Sequence, residues 1–217
     1  TDQHLKQKIK KEHILSYWHN TSMVAKPVSN PFSFSPKQHI VVSPSKLISL
    51  AGGSWTTMRP LVEEAINIAI KEKSLPCKTP SSSSYPPLIG SEKDISSTME
   101  ILQSHFNLDE DIASHLAHNY GNRSLEIAHI CEQGFGQRLS QKFPYVEAEV
   151  IYSVRFEYTQ TPLDFILRRI PLGIIDKNSS KAALPRIVEL MGEEFKWTQN
   201  KQQKELIFAK KELSINR

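Results

Sequence analysis

Cysteine is scarce in this sequence, which has only two cysteines, Cys77 and Cys131, in 217 residues. They lie in different sequence contexts, and their separation fits no metal-ligand spacing. The scarcity argues against a disulfide framework and against a zinc site. A chain with so little cysteine is expected to work in a reducing compartment.

Long apolar runs are also lacking: the sequence contains neither a membrane-spanning stretch of about 20 apolar residues nor a secretory leader. Residue 1 is threonine, so we expect the chain to be a processed product or part of a longer one. Charge of one sign is not concentrated, because 27 basic residues are scattered among 23 acidic ones, for a net charge of +4. This balance weakly allows an acidic partner and does not indicate nucleic-acid binding.

The most informative segment present is a strand that runs into paired glycines and then into a helix. Residues 40–42 and 47–50 predict two β-strands separated by a turn at Pro44. The second strand leads into Gly52-Gly53, and a helix is predicted to begin with Thr57 as its N-cap. This pattern exposes backbone amides at a helix start and is typical of contact with a nucleotide-type cofactor, although the same corner occurs in α/β proteins without a ligand.

Composition divides the chain into three parts. Residues 75–92 are rich in proline and serine and predict a linker between an αβ segment, 1–74, and a C-terminal domain, 93–217. The αβ segment opens with a predicted helix, 2–18, and a proline-containing loop, 19–37. Two strands alone are marginal in water, so we expect their sheet to be completed by another chain or another segment.

The C-terminal domain is predicted to be entirely α-helical. Its apolar residues recur with helical spacing up to a charged final helix, from Gln202 to Leu213. Gly121, Gly134 and Gly192 are placed where helices are predicted to end. Pro185 is compatible with its helix only near the start, which predicts Ser179 or Ser180 as the N-cap.

Several polar residues in the C-terminal domain have both a structural and a functional interpretation. His115 and His118 share a helix with Asp111, but the sequence supplies no further metal ligands, which favours surface or packing histidines over a metal site. Asp109, Glu110 and Asp111 suit a helix start, where carboxylates complement the dipole.

Two further pairs of charged residues invite a functional interpretation. Glu147 and Glu149 are two apart on a predicted helix, so they point to different sides and do not form a catalytic pair. Arg168 and Arg169 follow an apolar helix, where they either complement the dipole or bind a phosphate or lipid headgroup; the first interpretation is favoured.

Two blocks of sequence carry a family resemblance: residues 50–60, Leu-Ala-Gly-Gly-Ser-Trp-Thr-Thr-Met-Arg-Pro, and residues 144–197, which include Tyr145 to Val150 and Ala183 to Gly192. The chain resembles the C-terminal half of FAD-dependent, mitochondrial-type glycerol-3-phosphate dehydrogenases. The resemblance implies an α+β fold: a small αβ remnant with a β-hairpin and one helix, belonging to a flavoprotein fold completed elsewhere, followed by an all-α C-terminal domain. It also implies that backbone amides approach the FAD ring at Gly52, Gly53, Ser54, Thr56 and Thr57.

The sequence departs from the family pattern where the family handles a phosphate-bearing substrate. The family's Trp-Ser-Gly-Ile-Arg-Pro corresponds to Trp18 to Met23 here, so Ser22 replaces an arginine. The family's Gly-Gly-Lys is Gly52-Gly53-Ser54 here, so a lysine is also replaced. A neutral serine cannot make the charge-assisted contacts that these cations make with a phosphate dianion.

The resemblance leaves two functional hypotheses open. In the first, the chain is the C-terminal half of an enzyme that oxidises glycerol 3-phosphate and passes electrons to quinone. In the second, it is a non-catalytic accessory subunit of a mitochondrial membrane-associated complex derived from that enzyme. Because no G-x-G-x-x-G motif is present, FAD is expected only with a partner that completes the sheet and the FAD-binding fold. The resemblance further implies inner-membrane association, with peripheral membrane contact as one form of it.

Overall fold

The computed structural model describes residues 39–76 and 88–215, together with Lys10, His13 and Ile14. Most of the predicted N-terminal helix, 2–18, the whole loop, 19–37, and most of the predicted linker, 75–92, lie outside the described residues. The described chain falls into two compact units, one within residues 19–86 and the other consisting of the residues from 87 onward together with Lys10, His13 and Ile14. Each unit is described by itself.

The smaller unit consists of a β-hairpin and one helix. Strand β1 (His39–Val42) pairs antiparallel with strand β2 (Ile48–Ala51), in a register that sets His39 opposite Ala51. The turn between the strands is closed by the amide of Ser43, which donates to the carbonyl of Leu47 at 2.9 Å. These strands and their turn confirm the sequence prediction.

Helix α1 (Met58–Lys73) follows a short 3-10 turn, Trp55–Thr57. Leu61 and Ala65 on one side of this helix are buried. The side chain of Lys46 in the hairpin turn donates to the carbonyl of Glu72 at 3.1 Å, which ties the hairpin to the end of the helix. Thr57 is the N-cap by position, but its hydroxyl does not cap the helix because it is hydrogen-bonded within the preceding turn.

The larger unit is helical, as the apolar spacing predicts. A single bridge between Arg138 and Val146 is the only β-type pairing among its described residues. Its helices are α2 (Ile95–Ser104), α3 (Glu110–Tyr120), α4 (Ser124–Ile130), α5 (Glu147–Phe156), α6 (Pro162–Asp164), α7 (Leu172–Ile175), α8 (Lys177–Phe195) and α9 (Gln199–Ile215). A 3-10 turn, Gly121–Arg123, and two π-helical turns, Cys131–Phe135 and Phe165–Arg169, complete the order of elements.

The core of this unit is formed by the residues that carry the helical periodicity. The largest of its fully buried side chains come from most of the helices and include Leu102, Leu116, Ile127, Ile151, Phe165, Leu184 and Leu190. Ile95 is an exception, because it belongs to the same apolar pattern but remains 43% exposed at the first position of α2. Burial of the remaining apolar side chains supplies the main driving force for folding of this unit.

The prediction that a helix ends at Gly192 is wrong. Gly192 lies inside α8, and that helix ends instead at Lys196 in the left-handed conformation. A Cβ at position 192 would lie 2.5 Å from the side chain of Gln202 on α9, so the glycine permits close packing of two helices. In contrast, Gly121 ends α3 as predicted.

Helix α8 also begins earlier than Pro185 predicts. Its N-cap is Asp176, whose carboxylate accepts from the amides of Asn178 and Ser179 at 2.9 and 3.0 Å, so neither Ser179 nor Ser180 is the cap. Pro185 therefore lies inside the helix, where it lacks the amide of one backbone hydrogen bond. The two capping bonds and the burial of Leu184 and Ile187 on either side of the proline favour the longer helix.

Candidate functional site

The candidate cofactor-binding residues form one continuous turn between β2 and the start of α1. Gly52 and Gly53 have φ angles of 80° and 81°. Residues with a Cβ rarely adopt this left-handed conformation, so the backbone path itself requires both glycines. The turn thus carries the chain from the last residue of the strand, Ala51, into the 3-10 turn at Trp55.

The hydroxyl groups of this turn are hydrogen-bonded to one another. Ser54 Oγ lies 2.6 Å from Thr56 Oγ1, and the Ser54 amide donates to Thr57 Oγ1 at 3.2 Å. Thr57 Oγ1 in turn donates to the Ser54 carbonyl at 3.2 Å. These side chains therefore hold the turn in shape, and the groups that it offers to a ligand belong to the backbone.

The backbone amides at the start of the turn are suited to an electronegative ligand. The first hydrogen bond of the 3-10 turn joins the Thr57 amide to the Ser54 carbonyl at 3.0 Å. The amides of Trp55 and Thr56 come before Thr57 in the chain and therefore have no acceptor within the helix. Since α1 continues from this turn for 16 residues, its dipole adds positive potential at the same place. The turn can stabilise negative charge on a ring edge or an oxyanion.

An aromatic side chain and one cation accompany these amides. Trp55 is 88% exposed, the largest exposure of any large apolar side chain among the described residues of the αβ unit. Arg59 lies in the first turn of α1 and is the only basic residue between positions 47 and 70. At position 54, where the resemblance predicts a lysine, the serine hydroxyl is bonded to Thr56. Ser22, which stands where the resemblance predicts an arginine, lies outside the described residues.

A second polar cluster, which the sequence did not reveal, surrounds the fully buried carboxylate of Glu149 on α5. One carboxylate oxygen lies 2.7 Å from His115 Nε2 and accepts from the Tyr120 hydroxyl at 2.9 Å. The other oxygen accepts from the Val146 amide at 2.8 Å and so caps the start of α5. Burial, together with the negative charge of Glu149, raises the pKa of Tyr120 far above its usual range.

The contacts of His115 fix its role in this cluster. Its Nδ1 lies 3.0 Å from Asn119 Nδ2, which can only donate, so the proton of a neutral ring is assigned to Nε2 and donated to Glu149. His118 bonds instead to the carbonyl of Ser114 at 2.8 Å. No group of three or more potential metal ligands occurs in the described part of the chain. The packing interpretation of His115 agrees with this geometry.

The remaining charged candidates have structural partners. Glu147 accepts two hydrogen bonds from Arg186, at 2.8 and 2.9 Å. None of the groups that are hydrogen-bonded to Glu149 is also hydrogen-bonded to Glu147. Arg168 pairs with Asp164 at 2.9 Å. Arg169 donates to the carbonyl of Glu157 and to Thr159 Oγ1. These contacts favour the structural interpretation of both arginines over ligand binding.

The carboxylates at the start of α3 are bound by a distant arginine. Arg138 donates to Asp111 at 2.6 and 2.7 Å and to Asp109 at 2.8 Å. Its hydrogen bonds hold the pKa of the Asp111 carboxyl below its usual range. The interaction fixes the segment before α5 against α3, a role that the local charge pattern did not predict.

We expect Cys131 to be an unreactive thiol. Burial, followed in importance by the charge of Glu149, raises the pKa of Cys131 to about 12. Because the thiolate is the nucleophile, alkylation at pH 8 should be at least about a hundredfold slower than for an unperturbed thiol and should accelerate as the pH rises. The rate of iodoacetamide labelling of a Cys77→Ser variant, by mass spectrometry, measures this. Labelling in urea is the control, and equally fast labelling of the folded protein would contradict the prediction.

Comparison with known proteins identifies relatives of both units. Residues 81–202 match the model of the C-terminal domain of alpha-glycerophosphate oxidase. The mitochondrial glycerol-3-phosphate dehydrogenase of Macaca fascicularis is 37% identical over 212 residues, which cover 94% of this chain and 29% of the relative. The mitochondrial glycerol-3-phosphate dehydrogenase SDP6 of Arabidopsis thaliana is 31% identical and is matched over 95% of this chain and 36% of its own length.

A solved structure supports the fold. The glycerol-3-phosphate dehydrogenase from Bacillus halodurans, whose crystal structure is complexed with FAD, superposes with a TM-score of 0.67. The match is 21% identical in sequence and covers 82% of this chain and 37% of that chain. The chain thus spans about a third of the length of the proteins that it resembles.

Proposed function

This chain belongs to the family of mitochondrial glycerol-3-phosphate dehydrogenases, and from that premise we propose that it supplies the 52–57 turn and the helical domain of an FAD-dependent enzyme that oxidises glycerol 3-phosphate. The observation that carries the proposal is the pair of left-handed glycines, Gly52 and Gly53, followed by amides at the start of α1. Such a turn donates hydrogen bonds without any side chain.

The turn fits the polar edge of a flavin. Its amides at Trp55 and Thr56 would face the ring, and Thr57, through its bonds to Ser54, would keep the turn in shape. When bound, the flavin would take up two electrons and two protons from the secondary alcohol of glycerol 3-phosphate, which leaves dihydroxyacetone phosphate; the electrons would then pass to quinone. The amides would favour the negative charge that develops on the ring edge during reduction.

The αβ unit needs a further piece of protein to form a cofactor site. Its sheet has two strands among the described residues, which is marginal for independent stability. On α1, Met58, Val62 and Ile66 are spaced by four residues and are each between 42% and 47% exposed, so they form an apolar stripe. We propose that the FAD-binding part of the enzyme covers this stripe and extends the sheet, either as another segment or as a partner chain.

A non-catalytic accessory subunit is the second candidate function. The observation that favours it is Ser54, which stands where the family pattern has lysine and whose hydroxyl is bonded within the turn. Without that cation, and with serine also at position 22, a phosphate dianion loses two charge-assisted contacts. In this role the helical domain would serve assembly within a membrane-associated complex.

We further propose that the protein is mitochondrial and is associated with the inner membrane. The support is the mitochondrial designation of the relatives that it matches across most of its length. No helix within the described ranges is long and apolar enough to cross a membrane.

The flavin spectrum of the natively isolated protein, together with whatever binds it, tests the proposed function. We expect an oxidised-flavin absorbance band that bleaches on titration with glycerol 3-phosphate. A stable complex without flavin would overturn the catalytic proposal in favour of the accessory role. A third outcome is flavin that is bound but does not bleach. If a Ser54→Lys and Ser22→Arg variant then oxidised glycerol 3-phosphate, the loss of activity would be due to the two missing cations.

A matched pair of glycine variants tests the turn itself. Gly52→Ala with Gly53→Ala should release flavin, because neither alanine tolerates a φ near 80°. Gly134→Ala is the control, since Gly134 also has a positive φ, 105°, but lies in open space in the helical unit. Equal flavin retention by both variants would show that the 52–57 turn does not contact the cofactor.

A further inference from the structure

Trp55 is the only apolar side chain of the 52–57 turn, and the packing of the αβ unit makes little use of it. The side chain is 88% exposed. Its neighbours Ser54 and Thr56 hold the turn in shape through their hydroxyl oxygens, which lie 2.6 Å apart. Among the described residues, by contrast, no aromatic ring or cation stacks on the indole. A role for this side chain is therefore to be sought outside the packing of the unit.

The position of Trp55 is more informative than its exposure, because single exposed apolar side chains are ordinary in folded proteins. Its backbone amide is one of the two amides, with that of Thr56, that have no acceptor within the helix. The amide nitrogen and the first carbon of the side chain are bonded to the same Cα atom. A group that accepts a hydrogen bond from this amide therefore lies within reach of the indole.

The free amides of the turn act strongly only where water is excluded. The high dielectric of water weakens the attraction between an amide dipole and a negative charge, and preorganised donors are effective in a water-excluded site. The paired glycines of the turn have no side chains that could exclude water. The hydroxyls of Ser54, Thr56 and Thr57 are polar and are hydrogen-bonded within the turn. Within the turn, Trp55 alone can supply an apolar cover.

We propose that the indole of Trp55 covers the edge of the flavin ring that the amides of Trp55 and Thr56 contact, and that it excludes water from those hydrogen bonds. A flat indole packs against another ring system in an offset-stacked or an edge-to-face arrangement. Under this cover the amides stabilise the negative charge of the reduced ring more strongly than they would in water. The inference rests on the proposed function and adds a side chain that the family resemblance did not identify as a cofactor contact.

Hydroxyl-radical footprinting of the natively isolated protein, together with whatever binds it, tests the proposal directly. Oxidation of Trp55 is measured by mass spectrometry before and after the flavin is removed from the same preparation. We expect Trp55 to be protected while flavin is bound and to be readily oxidised once the flavin is gone. Trp197 is the internal control, because it stacks on Phe195 in the helical unit, with ring centroids 5.3 Å apart, and its oxidation should not change.

Two variants of Trp55 test whether the cover acts on the flavin. Trp55→Ala should weaken flavin binding about tenfold, which is the size of one lost aromatic contact. It should also lower the reduction potential of the flavin, because water then screens the amides from the reduced ring. Trp55→Phe retains an aromatic cover and should restore most of both quantities. Ile89→Ala removes an apolar side chain that is 79% exposed in the helical unit and should change neither.

Three results obtained with flavin bound would overturn the proposal. One is equal oxidation of Trp55 before and after flavin removal. Another is protection of Trp55 that persists after flavin removal, which would assign the cover to a protein partner. The third is a Trp55→Ala protein whose flavin affinity and reduction potential equal those of the unmodified protein. A native complex without flavin would overturn the proposed function and this inference together, so the two failures are distinguishable.

Discussion

Replacement of Glu149 by alanine should lower the free energy of unfolding by about 3–5 kcal/mol. The variant would leave His115, the Tyr120 hydroxyl and the Val146 amide without their shared acceptor in a buried site. An unsatisfied buried donor costs about 1–3 kcal/mol, and three are created here. Urea denaturation followed by far-UV circular dichroism measures the loss.

Two further variants separate the role of this carboxylate from a general effect of removing a glutamate. Glu149→Gln retains an acceptor oxygen of nearly the same shape and should show a smaller loss. Glu132→Ala removes an exposed carboxylate whose one ion-pair partner among the described residues is His129, and its effect should stay within about 0.5 kcal/mol. A Glu149→Ala protein as stable as the Glu132→Ala protein would refute the buried cluster as a source of stability.

Replacement of Gly121 by alanine should destabilise the helical unit by about 3 kcal/mol or more. Gly121 has φ 54° and ψ −136°, a conformation open essentially to glycine alone. A Cβ there would lie 1.9 Å from the carbonyl oxygen of Gly90, so the two backbones would have to separate. Separation would also break the hydrogen bond from the Asn122 amide to that oxygen, which is 2.8 Å long. Thermal and urea unfolding report the effect.

Gly134→Ala is the appropriate comparison for this variant. Gly134 has a positive φ of 105°, but no atom lies within 4 Å of the place that an alanine methyl group would occupy. Its loss of stability therefore reflects backbone conformation alone, about 1–2 kcal/mol. The difference between the two variants isolates the contact with Gly90. Equal losses would mean that residues 88–90 do not pack against the end of α3.

The buried cluster around Glu149 shows where prediction from sequence stopped. Glu147 and Glu149 were correctly expected to point to different sides of one helix, because that follows from helical geometry alone. Their partners were not predicted. His115 is 34 residues from Glu149, Tyr120 is 29 residues away, and Arg186 is 39 residues from Glu147. Spacing along a helix contains no information about contacts of this range.

The errors at helix boundaries have a related cause. Pro185 and Gly192 are local signals for helix ends, and both lie inside α8. The capping bonds of Asp176 and the burial of apolar residues around the proline outweigh its single missing hydrogen bond, and Gly192 is used for contact with Gln202 of α9. Tertiary packing therefore decided both positions against their local preferences.

The sequence by itself determined the elements that depend on local chemistry. Two short apolar segments and the turn at Pro44 specified the hairpin, paired glycines specified the turn at 52 and 53, and helical periodicity specified the C-terminal domain. The family resemblance identified the candidate cofactor residues. Only the tertiary structure decided that the hydroxyls of that turn are hydrogen-bonded to one another and that Glu149 is buried. It also decided that Arg138 binds Asp109 and Asp111. Each of these features requires groups to meet in three dimensions.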